Sequence, residues 1–195
     1  MTASPAIDYA HRAAVWDLRQ QLLDYSDDVA GFEYTRDFDF DPKDVGRFAG
    51  ALAVANLHYL PGGFRFADTG ILSAIIECLG ADAETTIDLC AWPVDEPHEF
   101  TSALGVADAL GIDQVKNPTS YFLNNKLDIR RTPLRWLQAK CQGIVILNES
   151  TIAEWLGVPL GSIAGEDLDH MRQLWLLLQG LLTPSQIFIR VEEVA

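Results

Sequence analysis

Four side chains that can exchange protons or bind metal ions lie close together in the sequence: Asp88, Asp95, Glu96 and His98. Carboxylate oxygens and an imidazole can share a divalent cation or act as an acid–base pair. We therefore interpret Asp88 and His98 as candidate catalytic residues, and Asp95, Glu96 and His98 as candidate metal ligands. Their spacing matches no known metal motif. The alternative is that the loop acids only compensate the positive end of a helix dipole.

A second group of residues could bind anions. The segment Lys116–Lys140 holds six of the chain's fourteen basic residues, with Asp128 as its only acid. Guanidinium groups hold phosphates and carboxylates through paired hydrogen bonds. The sequence therefore predicts an anion-binding set, which comprises Lys126, Arg130, Arg131 and Arg135. The alternative is internal: the segment could lie beside the acidic stretch Asp24–Asp44 and neutralise it, each exposed pair contributing only ~0–1 kcal/mol.

The first group is positioned by the stretch Thr85–Gly111. The residues from Thr85 to Trp92 are mostly β-branched, aliphatic or aromatic, which predicts a strand, with Asp88 as its one acidic residue. Pro97 favours the first turn of a helix that Gly111 ends. A short strand at 63–67 and a helix up to Gly80 precede it, so a βαβ unit is predicted. Ligands would collect beyond the carboxyl end of its strand.

The basic group is expected on a hairpin, in which Thr119–Leu123 and Lys126–Arg130 flank two asparagines that tolerate positive φ. Further elements are predicted after it, in chain order: a helix from Thr132-Pro133, a buried strand over Gly143–Asn148, a capping box from Thr151 to Glu154, a loop over Leu156–Gly165, a helix over Asp167–Leu182 and a final strand over Ile187–Val194.

The N-terminal part is predicted to be mainly helical. One helix begins after Ser4-Pro5 and ends near Tyr25, and another begins at Asp41-Pro42 and ends at Pro61. Between them, aromatic and polar residues alternate over 31–41, which predicts an edge strand with charges that discourage pairing. A calcium loop is the rival interpretation of this acidic stretch, but large aromatic residues separate its acids and the closing glutamate is missing.

Together these elements predict an α/β fold: a mixed, largely parallel sheet of about five to six strands flanked by helices, with a helical N-terminal region. Length favours a single domain over 1–195, with a helical part at 1–62 and a βα core at 63–195.

Composition limits the function classes. The net charge of −14 disfavours nucleic-acid or membrane binding by the whole surface, and no apolar run is long enough to span a bilayer. The three cysteines are far apart and lie in apolar segments, so reduced core thiols are expected. No signal peptide is recognisable at the N-terminus, which favours a cytoplasmic, soluble protein.

We therefore expect a non-catalytic accessory or regulatory binding protein that contacts an anionic partner, a phosphate-bearing ligand or nucleic acid, through the basic hairpin. No cofactor is predicted. One alternative is a metal-dependent enzyme that acts on a phosphorylated substrate, with its acidic site at the strand ends. A further alternative is that the acidic surface mimics nucleic acid or docks a basic protein.

Overall fold

The computed structural model describes residues 9–38, 51–122, 125–157, 161–179 and 187–189. Its helices are α1 (Tyr9–Tyr25), α2 (Asp28–Asp37), α3 (Pro133–Gln138), α4 (Ile152–Leu156) and α5 (Leu168–Leu178), with 3₁₀ helices at Ile112–Lys116 and Pro118–Tyr121. Its strands are β1 (Leu52–Leu60), β2 (Gly63–Phe66), β3 (Ile71–Leu79), β4 (Thr86–Pro93), β5 (Thr101–Ser102), β6 (Ala109–Leu110), β7 (Lys126–Arg130), β8 (Ile144–Ile146), β9 (Ser162–Gly165) and β10 (Ile187–Ile189).

The larger sheet is antiparallel, with strand order β2-β1-β3-β4-β5. A tight turn at Pro61-Gly62, where Gly62 has φ 81°, joins β1 to β2. The sheet curls so far that its two edge strands approach each other: a Cβ atom on Gly63 would lie 2.7 Å from the carbonyl oxygen of Ala103. The result is a half-barrel.

Helices α1 and α2 pack on this sheet. Val15 and Leu22 are the buried residues of α1, and the Tyr25 ring lies 5.9 Å from that of Phe66. In α2, the hydroxyl of Tyr34 accepts a 2.8 Å hydrogen bond from Trp92 Nε1, which ties the helix to β4. Burial raises the pKa of Tyr34, so this phenol stays protonated and neutral.

The smaller sheet has strand order β10-β9-β7-β8-β6 and is mostly parallel. Strand β7 pairs in parallel with both β8 and β9, β9 pairs in parallel with β10, and β6 is antiparallel to β8. Along the chain α3 connects β7 to β8, α4 connects β8 to β9, and α5 connects β9 to β10. Parallel neighbours need such crossover connections.

A hydrophobic cluster joins the two sheets. From the larger sheet it contains Val54, Ile76 and Trp92, and from the side of the smaller sheet Trp136 and Val145, all at most 1% exposed. Trp136 is one of the residues that α3 contributes to this cluster. Its indole Nε1 donates to the carbonyl of Gly143 at 2.8 Å, so the buried ring keeps a hydrogen bond.

The predicted fold class is wrong. A largely parallel sheet flanked by helices is replaced by a curled antiparallel sheet beside a smaller mixed one, with few helices. Two segments account for most of the error, because Leu52–Leu60 and Ile71–Leu79 were predicted as helices and are the long strands β1 and β3. A strand covered on both faces forms a continuous apolar run, and such a run also satisfies helical spacing.

The helix predicted between Pro97 and Gly111 is absent as well. This segment contains two successive turns, in which Glu96 N bonds to Pro93 O and Glu99 N to Glu96 O, followed by the short strands β5 and β6. The reason is Asp88, whose carboxylate accepts the backbone N–H groups of Leu104, Val106 and Ala107. Those amides are therefore not available for helical hydrogen bonds.

Four smaller predictions also fail. The predicted edge strand is helical over Asp28–Asp37, and the rings of Tyr34 and Phe38 lie 4.7 Å apart with their planes tilted by 46°; residues 39–41 lie outside the described part. The hairpin predicted over residues 119–130 is absent. Its first arm contains the 3₁₀ helix Pro118–Tyr121, and its second arm is β7, which pairs in parallel with β8 and β9. The predicted loop contains β9. Thr151 does not cap α4, because its hydroxyl bonds to the Asp108 carboxylate.

Other local predictions are confirmed. Strands occur at Gly63–Phe66, Thr86–Pro93 and Ile144–Ile146, α1 ends at Tyr25, and α3 begins after Thr132, whose hydroxyl accepts from Arg135 N. Residues 41–50 of the helix predicted before Pro61, and residues 190–194 of the predicted final strand, lie outside the described residues. The described parts of these two segments contain the strands β1 and β10. All three cysteines are buried and free, and burial raises the pKa of Cys78 and Cys90.

Within the described ranges, no helix combines the length and the apolar character needed to cross a lipid bilayer.

Candidate functional site

A cavity of about 500 Å³ lies at the carboxyl ends of the parallel strands β7 and β8, beside α5. This is the place where open parallel sheets bind ligands, and the volume is typical of a small-molecule site. The residues that line it come from these strand ends, from α5 and from Phe100: Phe100, Ile129, Arg130, Arg131, Ile146, Glu149, His170, Gln173, Leu174, Leu176 and Leu177.

Arg130, the last residue of β7, supplies a buried positive charge. Its side chain is only 4% exposed. Asp128, two residues earlier on the same face of the strand, accepts from Nη2 at 3.3 Å, a long contact for an ion pair. Within the described residues, Arg130 Nε is buried and has no hydrogen-bond partner. The guanidinium is therefore desolvated but incompletely compensated.

Arg131, the next residue, is held in place by α5. Its Nη2 lies 2.6 Å from Asp167 Oδ1 and its Nη1 donates to Gln173 Oε1 at 3.2 Å. Asp167 also caps α5 by accepting from His170 N at 2.8 Å. The hydrogen bond from Arg131 is the main cause that lowers the pKa of Asp167, so both charges persist at neutral pH.

His170, on the first turn of α5, presents a neutral imidazole to the cavity. Its Nδ1 accepts the backbone N–H of Glu166 at 3.2 Å, so the proton of the neutral ring is on Nε2. Burial, and then the nearby positive charge of Arg131, lower the pKa of His170 to about 4. At neutral pH the site therefore offers two guanidinium groups and an uncharged imidazole.

We expect His170 to make stability depend on pH. Its folded pKa of about 4 lies below the ordinary value of 6.5, so between these two values the unfolded chain binds the proton and the folded chain does not. The free energy of unfolding should therefore fall as the pH falls from about 6.5 to about 4, by on the order of 1–2 kcal/mol from this residue. Urea unfolding at several pH values measures this effect.

The matched variant is His170→Asn, whose side-chain oxygen can replace Nδ1 as the acceptor for Glu166 N. Its unfolding free energy should fall less than that of the wild type over the same pH range. Equal slopes for the two proteins would show that His170 titrates normally in the folded state.

Apart from the exposed Glu149, the remaining wall of the cavity is apolar. It includes Ile129 and Ile146 from the strands and Leu174 from α5. A buried cation beside aliphatic side chains suits a molecule that carries an anionic group on a compact apolar body, because each half meets matching chemistry.

The four residues of the predicted anion-binding set do not lie together. Arg130 and Arg131 line the cavity, whereas Lys126 lies at the opposite end of β7 and Arg135 is exposed on α3. Burial raises the pKa of Glu166, and Arg131 and Arg135 partly oppose this. The ion pairs of Arg130 and Arg131 involve Asp128 and Asp167, so neither of these pairs neutralises the acidic stretch Asp24–Asp44.

The acidic candidates are distributed differently. Asp88 is fully buried, and its two oxygens accept four backbone N–H groups, those of Leu89, Leu104, Val106 and Ala107. Asp95, Glu96 and His98 are exposed in the loop after β4. Among the described residues, no three His, Cys, Asp or Glu side chains come together in a way that could hold a metal ion. Asp88 thus has a structural role in holding a loop.

Sequence reasoning missed His170 and Gln173. Both lie on α5, directly after β9, a strand that was interpreted as loop. The available signal was the adjacency of a short apolar strand, Ser162–Gly165, to the N-cap Asp167, which together mark a strand–helix unit.

Comparison with known proteins yields little. No protein-family model and no curated protein matches the sequence. Among solved structures, the chain is similar to the primase fragment of the bacteriophage T7 primase–helicase protein, with 9% sequence identity and a TM-score of 0.48. The match covers 80% of this chain, which spans only 62% of that fragment. A likeness at this level carries no argument about function.

Proposed function

We propose that this chain is a non-catalytic accessory or regulatory protein that binds a small anionic ligand in the cavity at Arg130. The ligand would carry a phosphate or a carboxylate on a compact apolar group. Arg130 would contact the anionic group, Arg131 would add a second positive charge, and Ile129, Ile146 and Leu174 would enclose the apolar part.

The observation that carries the proposal is the state of Arg130. A guanidinium that is 4% exposed, with one ion pair at 3.3 Å and an unpartnered Nε, has lost hydration without regaining equivalent hydrogen bonds. An anion that accepts from Nε and a neighbouring Nη would supply the missing bonds in the bidentate geometry that arginine favours.

The burial of Arg130 favours a small ligand over a nucleic acid. Contacts to a nucleic-acid backbone are made by exposed basic side chains spread along a surface. Here the relevant cation lies inside a cavity on a body with net charge −14, so a polyanion would meet repulsion before reaching it. The alternatives of a metal-dependent enzyme and of an acidic docking face stay predictions.

The test is calorimetric titration and thermal unfolding with phenyl phosphate, benzoate and inorganic phosphate, with benzyl alcohol as the neutral analogue. We expect phenyl phosphate to bind more tightly than inorganic phosphate, because its ring adds apolar contact. At 100 times its Kd it should stabilise the fold by about 2.7 kcal/mol. Benzyl alcohol should have no measurable effect.

Arg130→Lys keeps the positive charge beside Asp128 but removes the planar fork, so it should weaken phenyl phosphate binding at least about tenfold, or 1.4 kcal/mol. The matched control is Arg172→Gln, which changes an exposed arginine on the same helix that carries His170 and does not line the cavity. Absence of binding by all three anions, or unchanged binding in Arg130→Lys, would overturn the proposal.

A further inference from the structure

Helix α1 has apolar side chains on two separate faces. The inner face, with Val15 and Leu22, is buried against the antiparallel sheet. The outer face carries Tyr9, Trp16 and Leu23, which are 88%, 61% and 70% exposed. At about 100° per residue around the helix, Tyr9, Trp16 and Leu23 lie about 80–120° from the nearer of Val15 and Leu22, so the outer face is distinct from the inner one.

The outer residues recur every seven positions, which is the spacing of a coiled-coil seam. The exposed residues Ala13 and Gln20 lie between them, so the seam runs Tyr9, Ala13, Trp16, Gln20 and Leu23 with alternating steps of four and three. In coiled-coil terms Tyr9, Trp16 and Leu23 occupy d positions, and Ala13 and Gln20 occupy a positions. We call these five residues the outer seam.

Charged residues flank the outer seam in a defined order. Arg12 and Arg19 lie on one side of it, in the g positions, and Asp17 and Asp24 lie on the other, in the e positions. Each arginine precedes an aspartate by five residues, which is the separation that brings g and e′ residues together between two parallel helices. All four residues are exposed.

From this pattern we infer that α1 pairs with α1 of a second copy of the chain, in parallel, through the outer seam. In that arrangement Arg12 meets Asp17 of the second copy, Arg19 meets Asp24 of the second copy, and each pair occurs twice. An antiparallel pair would instead bring arginines against arginines, because g residues then face g residues.

One further feature agrees with a parallel pair. Gln20 occupies an a position, where it would face Gln20 of the second copy, and a polar residue there fixes register and orientation. Arg19 Nε already donates to Glu77 of its own chain at 2.6 Å, so its guanidinium would be shared between Glu77 and Asp24 of the second copy. The seam spans only about two heptads, so we expect a dissociation constant in the micromolar range.

The outer seam contributes no residue to the Arg130 cavity, so the two proposals can fail separately. Sedimentation equilibrium of the full chain over about 1–200 µM tests self-association. We expect a reversible dimer for the wild type and a monomer for Trp16→Glu. Leu168→Glu is the matched control: it adds the same charge at a side chain with 51% exposure on α5 that does not line the cavity, and it should dimerise like the wild type.

Orientation is tested by charge exchange. Arg12→Asp and Asp17→Arg should each weaken self-association several-fold, since like charges then face each other twice in the dimer. An equimolar mixture of the two variants restores both attractive pairs and should associate more strongly than either variant alone. An antiparallel pair would give no such recovery.

A cysteine at position 20 provides a second test of orientation. Gln20→Cys should form a disulfide between copies under mild oxidation, since identical a positions meet only in a parallel pair. The native thiols Cys78, Cys90 and Cys141 are buried and do not compete. A wild-type chain that stays monomeric at 200 µM, or a dimer unchanged by Trp16→Glu, would overturn the inference, and so would a dimer whose charge variants fail to recover on mixing.

Discussion

Replacement of Asp88 by asparagine is expected to lower the free energy of unfolding by about 3–5 kcal/mol. The two oxygens of Asp88 accept N–H groups of Leu89 and Leu104 on one side and of Val106 and Ala107 on the other, at 2.8–3.3 Å, and the residue is fully buried. In asparagine an NH₂ group replaces one carboxylate oxygen, so it would face two backbone N–H groups that it cannot accept. Buried N–H groups without an acceptor, and the loss of charge, both destabilise the fold.

Urea unfolding and thermal scans measure the effect, which corresponds to a fall in Tm of roughly 10 °C for a chain of this size. The matched control is Asp82→Asn. Asp82 also accepts several hydrogen bonds, from Glu84 and Thr85, which lower its pKa to about 2, but it is exposed in a local turn. Its replacement should cost no more than about 1 kcal/mol, and an equal loss in both variants would mean that Asp88 does not organise the loop.

Gly143→Ala should be similarly damaging, with a loss above about 3 kcal/mol. Gly143 has φ +85°, where an alanine is strained, and an added methyl group would overlap the carbonyl oxygen of Asp128. Gly143 N also donates to Gln114 Oε1 at 2.8 Å. A backbone shift that moves the added methyl group away from Asp128 would therefore break this hydrogen bond. The displaced neighbour is the residue that pairs with Arg130, so ligand binding in the cavity should weaken too.

Gly62→Ala separates conformational strain from overlap, because Gly62 has a similar φ of +81° with open space where the methyl group would lie. Strain alone should cost about 1 kcal/mol. Chemical unfolding of the two variants, with titration of phenyl phosphate into Gly143→Ala, checks both parts. If the two alanine variants are equally stable, strands β7 and β8 must move apart around the added methyl group at no cost in unfolding free energy.

The local elements that sequence reasoning identified correctly are those with a local physical cause. Thr132-Pro133 supplies a capping hydroxyl and a preset φ, so α3 begins there whatever surrounds it. The β-branched and aliphatic run before Trp92 forms a strand because its side chains suit a buried pleated surface. Asp88 is the one acidic residue of that run, but its acceptor role depends on amides sixteen to nineteen residues away.

The site was predictable only in part. Sequence reasoning singled out Arg130 and Arg131 as anion-binding residues, and both line the cavity; that they bind an anion stays a prediction. The residues that join them, His170 and Gln173, lie about forty positions later and reach the cavity because β9 pairs in parallel with β7. The general rule that ligands bind at the carboxyl ends of parallel strands was applied to the wrong strand, β4, which is antiparallel to both neighbours.

Local sequence signals were enough to locate element ends at prolines and caps, to place the cysteines in the core and to locate the concentration of positive charge. Whether the apolar runs Leu52–Leu60 and Ile71–Leu79 form helices or strands, and which arginine is desolvated, depends on tertiary contacts. A residue's own chemistry fixes its local dihedral preferences and charge, whereas strand pairing and desolvation depend on neighbours that are distant in the chain.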